Sequence, residues 1–248
     1  MITVKVVNNF DSADLKRIAE TIFSSYDGAV ENWDYSGLDG FVPLKKGNRS
    51  ALIAVDDSVC VKFFYDKSVK SKIRDFLGFS KARKTFEIGL KVSQLGIQIP
   101  QLYGFSKKKF SHGIVFSKFE PDYNTIYWFV RGNPEVHIWG QLGQFIRSIH
   151  DKSVTHKDLA PKNIMVKQSE EKCEFLLLDY EDCKVNSQMT DELRLKDLHH
   201  FYERLYQFTT EEQRECFVKG YVAEEKAFCN YHTQLLKMVT DRPSKYTQ

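Results

Sequence analysis

The sequence predicts an α+β protein in two lobes, a small β-rich one followed by a helical one, and three observations carry that expectation. Short apolar runs separated by polar turns crowd the stretch 41–65, apolar residues recur at helical spacing beyond residue 121, and Phe119-Glu120-Pro121 punctuates the change like a hinge. With 248 residues, 42% hydrophobic and 14% aromatic, the chain can bury a core large enough for one bilobal domain or two small ones. Boundaries drawn this way give an N-terminal extension at 1–37, a β-rich lobe at 38–120 and a helical lobe at 121–248.

Within the extension, 11–23 has a helical pattern with no assignable role. Strands are expected at 41–44, 51–55 and 59–65, and two more near 101–105 and 113–117, either side of the basic turn Lys107-Lys108-Lys109. Ser80 can cap a helix that runs to about Leu95 and stops at Gly96. Past the hinge, Ile138, Leu142, Phe145, Ile146 and Ile149 share one helical face. Ile164-Met165-Val166 and the run 175–178 are short apolar strands. Leu198, Phe201, Tyr202 and Leu205 mark another helix, and Tyr231, Leu235 and Val239 a last one.

Composition narrows the function classes. The first ten residues lack a basic region followed by an uninterrupted apolar core, and no apolar run approaches a membrane span, so a cytoplasmic location is expected. Five cysteines without a C-x-x-C pair argue against a disulfide framework or zinc site. The net charge of +3 is too small to imply nucleic acid, and none is expected as a partner. Its distribution is uneven. From Lys67 to Lys84 there are seven basic residues against Asp75 alone, a segment of net +6 that leaves the rest at −3. That segment is either a solvated face or a contact with an anionic membrane or substrate, where each basic residue contributes about 1 kcal/mol.

The chemistry concentrates in 154–179. His156, Asp158 and Asn163 have the H-x-D-x-x-x-x-N spacing of a kinase catalytic loop, and an apolar run ending in Asp179 follows. Phosphoryl transfer from ATP needs a carboxylate beside the attacking hydroxyl, plus an amide oxygen and a second carboxylate to hold Mg²⁺. Asp158, Asn163 and Asp179 supply these in the right order. A lone H-x-D occurs by chance in many turns, so the order and spacing carry the inference.

Other residues complete a phosphate site. Lys62 alone interrupts the apolar run 59–65, and an ammonium buried there should face an anion. Glu87 is its natural partner, although Arg83 and Lys91 each offer Glu87 an ordinary i,i+4 pair and Lys62 can instead sit on an edge facing water. No G-x-G-x-x-G occurs; in its place Lys46, Gly47 and Ser50 of Lys45-Lys46-Gly47-Asn48-Arg49-Ser50 either cover phosphates or form a plain hairpin turn. Asp197 lies where kinases commonly place a helix aspartate that braces the catalytic loop, a solvent-facing aspartate being the alternative.

Taken together, these motifs resemble the bacterial lipopolysaccharide kinases over roughly 45–222. The likeness runs through Lys45–Ser50, Phe86-Glu87, Leu95–Pro100, Ile149-His150, His156–Asp158, Asn163, Leu178-Asp179-Tyr180-Glu181 and Arg194–Leu198. It implies a bilobal protein-kinase-like fold that moves the γ-phosphoryl of ATP, with Mg²⁺, to a hydroxyl of Kdo or heptose. The acceptor would be a lipopolysaccharide core or lipid A-linked sugar, met at the cytoplasmic face of the inner membrane if Lys67–Lys84 contacts lipid. Under the resemblance Asp158 orients the hydroxyl and takes its proton, Asn163 and Asp179 bind metal, Lys62 and Glu87 position the phosphates, and His156 supports the loop.

Departures from protein kinases sharpen the substrate. Ala160 stands where Ser/Thr kinases carry a lysine, Tyr180-Glu181 replaces Phe-Gly after the metal aspartate, and no Ala-Pro-Glu follows. Little room remains for a peptide platform, which favours a small or glycan substrate. A small-molecule kinase of the aminoglycoside or choline type shares the Asp-Asn-Asp set but usually has glycine where Lys157 stands. An atypical protein kinase or a pseudokinase binding module is the remaining alternative, and a pseudokinase is expected to lack one of Lys62, Glu87, Asp158, Asn163 and Asp179, all of which are here.

Overall fold

Alternation of apolar side chains gives the first sheet two faces that both need covering. The computed structural model describes residues 2–7, 10–26, 38–47, 49–65, 80–108, 112–132, 134–170, 172–223 and 225–240. The chain divides into two units, Met1–Lys91 with Pro100–Pro121, and Val92–Ile99 with Asp122–Gln248. In the first, β1 (Ile2–Val6), β2 (Phe41–Lys46), β3 (Ser50–Val55), β4 (Val59–Phe64), β5 (Leu102–Lys108) and β6 (His112–Lys118) form one antiparallel sheet. Their order is β1-β5-β6-β4-β3-β2.

One face presents Ile53, Val55, Val61, Phe63, Ile114 and Phe116, and α1 (Ser12–Ser25) closes it. Leu15, Ile18, Ala19, Ile22 and Phe23 recur at i, i+3, i+4, i+7 and i+8, the stripe of a helix with one buried side. Asp11 caps that helix by accepting the Ala13 N–H at 2.7 Å. The N-terminal stretch, expected as an extension without a role, therefore supplies both an edge strand and the cover of one sheet face. The opposite face carries Lys62, Phe64, Phe105 and Val115 and packs on α2 (Lys81–Gln94). There the rings of Phe86 and Phe105 are 5.3 Å apart, and a Cβ added to Gly113 would lie 2.5 Å from that of Ala82. Ser80 caps α2 through the Arg83 N–H at 3.1 Å, and Gly96 ends it at φ +75°.

The second unit is mostly helical: α3 (Ile126–Phe129), α4 (Val136–Asp151), α5 (Asp191–Leu205), α6 (Glu211–Val222) and α7 (Glu225–Thr240). Strands β7 (Asn124–Thr125), β9 (Ile164–Gln168) and β10 (Cys173–Leu177) make a small sheet, and β8 (Val154–His156) pairs with β11 (Cys183–Val185). Helix α6 falls where no element was expected. A capping box fixes its start, with Thr210 Oγ1 accepting the Gln213 N–H at 3.2 Å and Gln213 Oε1 accepting the Thr210 N–H at 3.0 Å. Helices α4 and α6 touch backbone to backbone. A Cβ on Gly143 would come within 2.2 Å of the Phe217 carbonyl oxygen, and one on Gly220 within 2.0 Å of the Gly140 carbonyl oxygen.

That crossing makes a test with an informative sign. By helix propensity alone, Gly143→Ala would stabilise α4 by about 1 kcal/mol. The added methyl collides with fixed backbone instead, so the substitution is expected to destabilise by about 1–3 kcal/mol, read as a lower urea midpoint. A raised midpoint would contradict the close approach.

Candidate active site

The site is assembled around the backbone that leaves β8. Asp197, only 6% exposed in α5, accepts the His156 N–H at Oδ2 over 2.6 Å, so the helix holds the start of the catalytic loop. His150 Nε2 lies 3.5 Å from the same oxygen. Arg194 donates to the Tyr221 hydroxyl at 3.4 Å, leaving that hydroxyl's hydrogen for His150 Nδ1 at 2.7 Å, so Nε2–H faces Asp197. Asp197 thus braces the loop, as its place in the sequence suggested.

The His156 ring is fixed in the same way. Asp158 donates its N–H to Nδ1 at 3.2 Å, so Nδ1 is bare and the hydrogen on Nε2 goes to the Leu178 carbonyl at 3.1 Å. The buried ring joins the loop to the residue before Asp179 and has no free nitrogen for proton transfer. It supports the loop.

Four nitrogens surround the Asp158 carboxylate. Oδ1 accepts from His200 Nε2 at 2.9 Å and Arg204 Nη1 at 3.2 Å, and Oδ2 lies 3.1 Å from Lys162 Nζ and 3.3 Å from Asn163 Nδ2. Burial acting alone would raise the pKa; the His200 hydrogen bond, Lys162 and Arg204 outweigh it and hold the pKa at about 2. Asp158 is therefore ionised at neutral pH and accepts hydrogen bonds only.

Asn163 is 2% exposed and spends Nδ2 on the Asp158 carbonyl at 2.8 Å, which leaves Oδ1 to meet a ligand. The antiparallel β9–β10 pairing sets Leu177 opposite Ile164, and the Leu178 N–H continues to the Asn163 carbonyl at 2.8 Å. Asp179 follows directly, at φ 49°, ψ 36°, a left-handed conformation that aspartate tolerates better than most residues. One amide oxygen and one carboxylate are hard donors, a set that suits Mg²⁺ completed by phosphate oxygens and water.

Lys162, His200 and Arg204 escaped the sequence reading. Their signal was present: Asp197, His200 and Arg204 fall at i, i+3 and i+7 of one helix face, and Lys162 stands four residues after Asp158. Beside the turn Pro161–Asn163 packs α3, where Trp128 is 65% exposed. The Arg131 guanidinium lies 3.9, 5.1 and 4.8 Å from the ring centroids of Tyr127, Trp128 and Phe208.

The remaining expected residues lie in the first unit. Lys62 is half-buried on the α2 face of the sheet, its Nζ 5.5 Å from the centroid of the Phe64 ring. The expected Lys62–Glu87 pair is replaced. Glu87 is exposed and binds Arg83 at 2.7 Å, one helical turn away, where neither charge has to leave water. Gly47 donates its N–H to the Ser50 carbonyl at 3.0 Å and accepts from the Tyr65 hydroxyl, so this stretch is a closed hairpin turn. Its own amide is committed; Lys46 on this turn is exposed and Ser50 half-buried. Of the basic segment, Lys81, Arg83 and Lys84 are described, and 66–79 lies outside the described residues.

Residues 123–221, the span that holds Asp158, Asn163, Asp179 and Asp197, match the model of the lipopolysaccharide kinase (Kdo/WaaP) family. Over this span the chain is similar to the lipopolysaccharide kinases. It is 29% identical over 122 residues to the 3-deoxy-D-manno-octulosonic acid kinase of Pasteurella multocida (strain Pm70), covering 48% of this chain and 49% of that protein. It is 27% identical over 137 residues to the enzyme of the same description from Actinobacillus succinogenes (strain ATCC 55618 / DSM 22257 / CCUG 43843 / 130Z), covering 51% and 57%. The chain thus spans about half the length of these relatives. The solved structure of WaaP in complex with acyl carrier protein superposes with a TM-score of 0.62 at 14% identity, covering 96% of this chain and 97% of that one. The likeness of fold covers nearly all of both chains.

The charge state of Asp158 gives a direct check. The unfolded chain takes up a proton near the ordinary carboxylate pKa of about 3.9. The folded chain resists it until about pH 2, so the stability held by this contact is present above pH 4 and lost as pH falls toward 2. Carboxyl ¹³C NMR, assigned with Asp158→Asn, is expected to show a midpoint near 2 that moves up toward the ordinary value in His200→Ala.

Proposed function

We propose that this protein is a sugar kinase of lipopolysaccharide synthesis, transferring the γ-phosphoryl of ATP to a hydroxyl of Kdo in the inner core. The observation that carries this is the joined set Asp158, Asn163 and Asp179, within the span that matches the lipopolysaccharide kinase family. The relatives it aligns with are Kdo kinases, which makes Kdo the acceptor of choice.

In this reading Asp158 accepts a hydrogen bond from the attacking hydroxyl and aims its oxygen at the phosphoryl group. A carboxylate with a pKa of about 2 is a weak base, so its main work is orientation. It takes the proton late, once bonding to phosphorus has made the hydroxyl acidic. Lys162, beside Asp158, adds positive charge where the transferred oxygens carry negative charge. Asn163 Oδ1 and the Asp179 carboxylate would hold Mg²⁺, which supplies neutralisation of phosphate charge. Lys62, Lys46 and Ser50 are the first-unit groups assigned to the nucleotide phosphates, with Glu87 paired to Arg83 until a ligand recruits it.

The workplace assigned is the cytoplasmic face of the inner membrane, with Lys67–Lys84 against anionic lipid. Among the described residues no helix is long and apolar enough to cross a membrane. Reversing Lys70, Lys72 and Arg74 to Glu is expected to raise the apparent KM for acceptor in anionic vesicles but not for deacylated acceptor, the effect shrinking as salt rises beyond about 0.15 M.

Purified protein incubated with Mg-ATP and a Kdo-lipid acceptor is expected to yield phospho-Kdo by mass spectrometry. Asp158→Ala should lower turnover about 10²–10⁴-fold, with circular dichroism and nucleotide affinity retained. Asp179→Asn should weaken Mg-ATP binding by calorimetry, because it removes a carboxylate from the metal. Phosphorylation of aminoglycosides or peptides with no transfer to Kdo would overturn the proposal.

A further inference from the structure

A cavity of about 1160 Å³ opens in the second unit next to the catalytic turn, and lysines and histidines from three chain segments line its wall. Lys157 follows His156 directly, Lys184 comes from β11, and Lys196, His199 and His200 come from α5. The β8–β11 ladder fixes the first two. Thr155 pairs with Lys184 and the Lys157 N–H reaches the Asp182 carbonyl at 3.1 Å, so both lysines rise from adjoining strands.

The charges in this wall are unbalanced. Lys157, Lys184 and Lys196 are exposed, and among the described residues none forms an ion pair with a carboxylate. Of the two acids in the lining, Asp197 is committed to the His156 N–H, leaving Glu192. Like charges held around one concavity repel, and an anion seated among them relieves that repulsion and gains from each. The cavity also shares a wall with the chemistry: His200 lines it and donates to Asp158 at 2.9 Å, and Lys157 precedes Asp158 in the chain.

We propose that this cavity binds an anionic group of the acceptor, a carboxylate or a phosphate monoester, and so sets the hydroxyl of the same molecule before Asp158. The inference rests on the sugar-kinase reading and extends it to how the acceptor is held. An octulosonic acid carries its own carboxylate, and a lipid A-linked one brings phosphates as a second source of the same chemistry. Three lysines around a concavity favour an acceptor that arrives with charge over a neutral sugar.

The test uses the full chain with Lys184→Glu and Lys196→Glu combined, two residues that do not touch Asp158. Three soluble deacylated acceptors are compared: a Kdo glycoside on a diphosphorylated glucosamine disaccharide, the same after phosphatase treatment, and the phosphatase-treated compound with its carboxyl reduced. The double variant is expected to raise KM for the first acceptor at least tenfold, with the KM for ATP and the slow hydrolysis of ATP without acceptor unchanged. Wild-type protein should lose the same factor on whichever acceptor lacks the recognised anion, which tells phosphate from carboxylate. An unchanged KM in the variant, or an equal penalty on the acceptor with neither anion, overturns the proposal. Inorganic pyrophosphate titrated into ¹⁵N-labelled protein decides independently of Kdo transfer. Saturable shifts at Lys184 and Lys196 backbone amides that are absent from the reversed variant support the cavity even if no Kdo is phosphorylated, and no shift overturns it.

Discussion

The catalytic loop depends on one buried carboxylate. Asp197 lies buried in the second unit, where it accepts the His156 N–H and has His150 Nε2 3.5 Å from the same oxygen. Those partners come from different elements, so one side chain ties α5 to β8 and α4. Tyr221 extends the tie to α6 through His150, and the glycine crossing of α4 and α6 allows the two helices to come close enough for that hydroxyl to reach. Removing one partner would strand the others, which is why such networks behave as a unit. The same helix face then projects His200 and Arg204 onto Asp158. Brace and electrostatic environment share a single rigid support.

In the proposed reaction, that arrangement suits Asp158 to orienting a hydroxyl more than to taking its proton. A catalytic base left in a half-buried site without cations would drift upward in pKa and spend part of its time protonated. Here the surrounding donors favour the ionised form strongly, at the expense of basicity. Proton affinity matters little when the transition state is loose and the nucleophile needs only to be pointed correctly. An always-charged acceptor of fixed direction is suited to that work. Lys162 and Arg204 hold the carboxylate through its two different oxygens.

Much of the fold was legible because the signals were local. Short apolar runs marked the strands of the first sheet except β1, Ser80 and Gly96 marked the ends of α2, and the apolar runs beside Asn163 and Asp179 placed those two residues at the ends of β9 and β10. What escaped depends on contacts between distant segments or on competition between near ones. The role of α1 became visible only once strands from residues 51 to 116 presented the face it covers. Glu87 had three partners open to it, Lys62, Arg83 and Lys91, and the exposed Arg83 one turn away takes it without the desolvation that a half-buried lysine would demand. His200 and Arg204 looked like ordinary polar positions, since nothing in a helix sequence says which loop its face will meet. Helix α6 carries its apolar stripe only in its second half, at Phe217, Val218, Tyr221 and Val222, too short a pattern to announce a helix, and its first turn gives the inward side to the capping Gln213.

The aromatic group around Arg131 also gives the protein an optical signature. Trp128 stands largely in water beside the turn that carries Lys162 and Asn163, while Trp139 is sealed inside α4. An indole in water emits to the red of one in an apolar core, and a nearby guanidinium makes its emission sensitive to any charge that arrives. The difference in fluorescence between the natural chain and Trp128→Phe therefore isolates the emission of one indole that stands in water on the helix beside the catalytic turn.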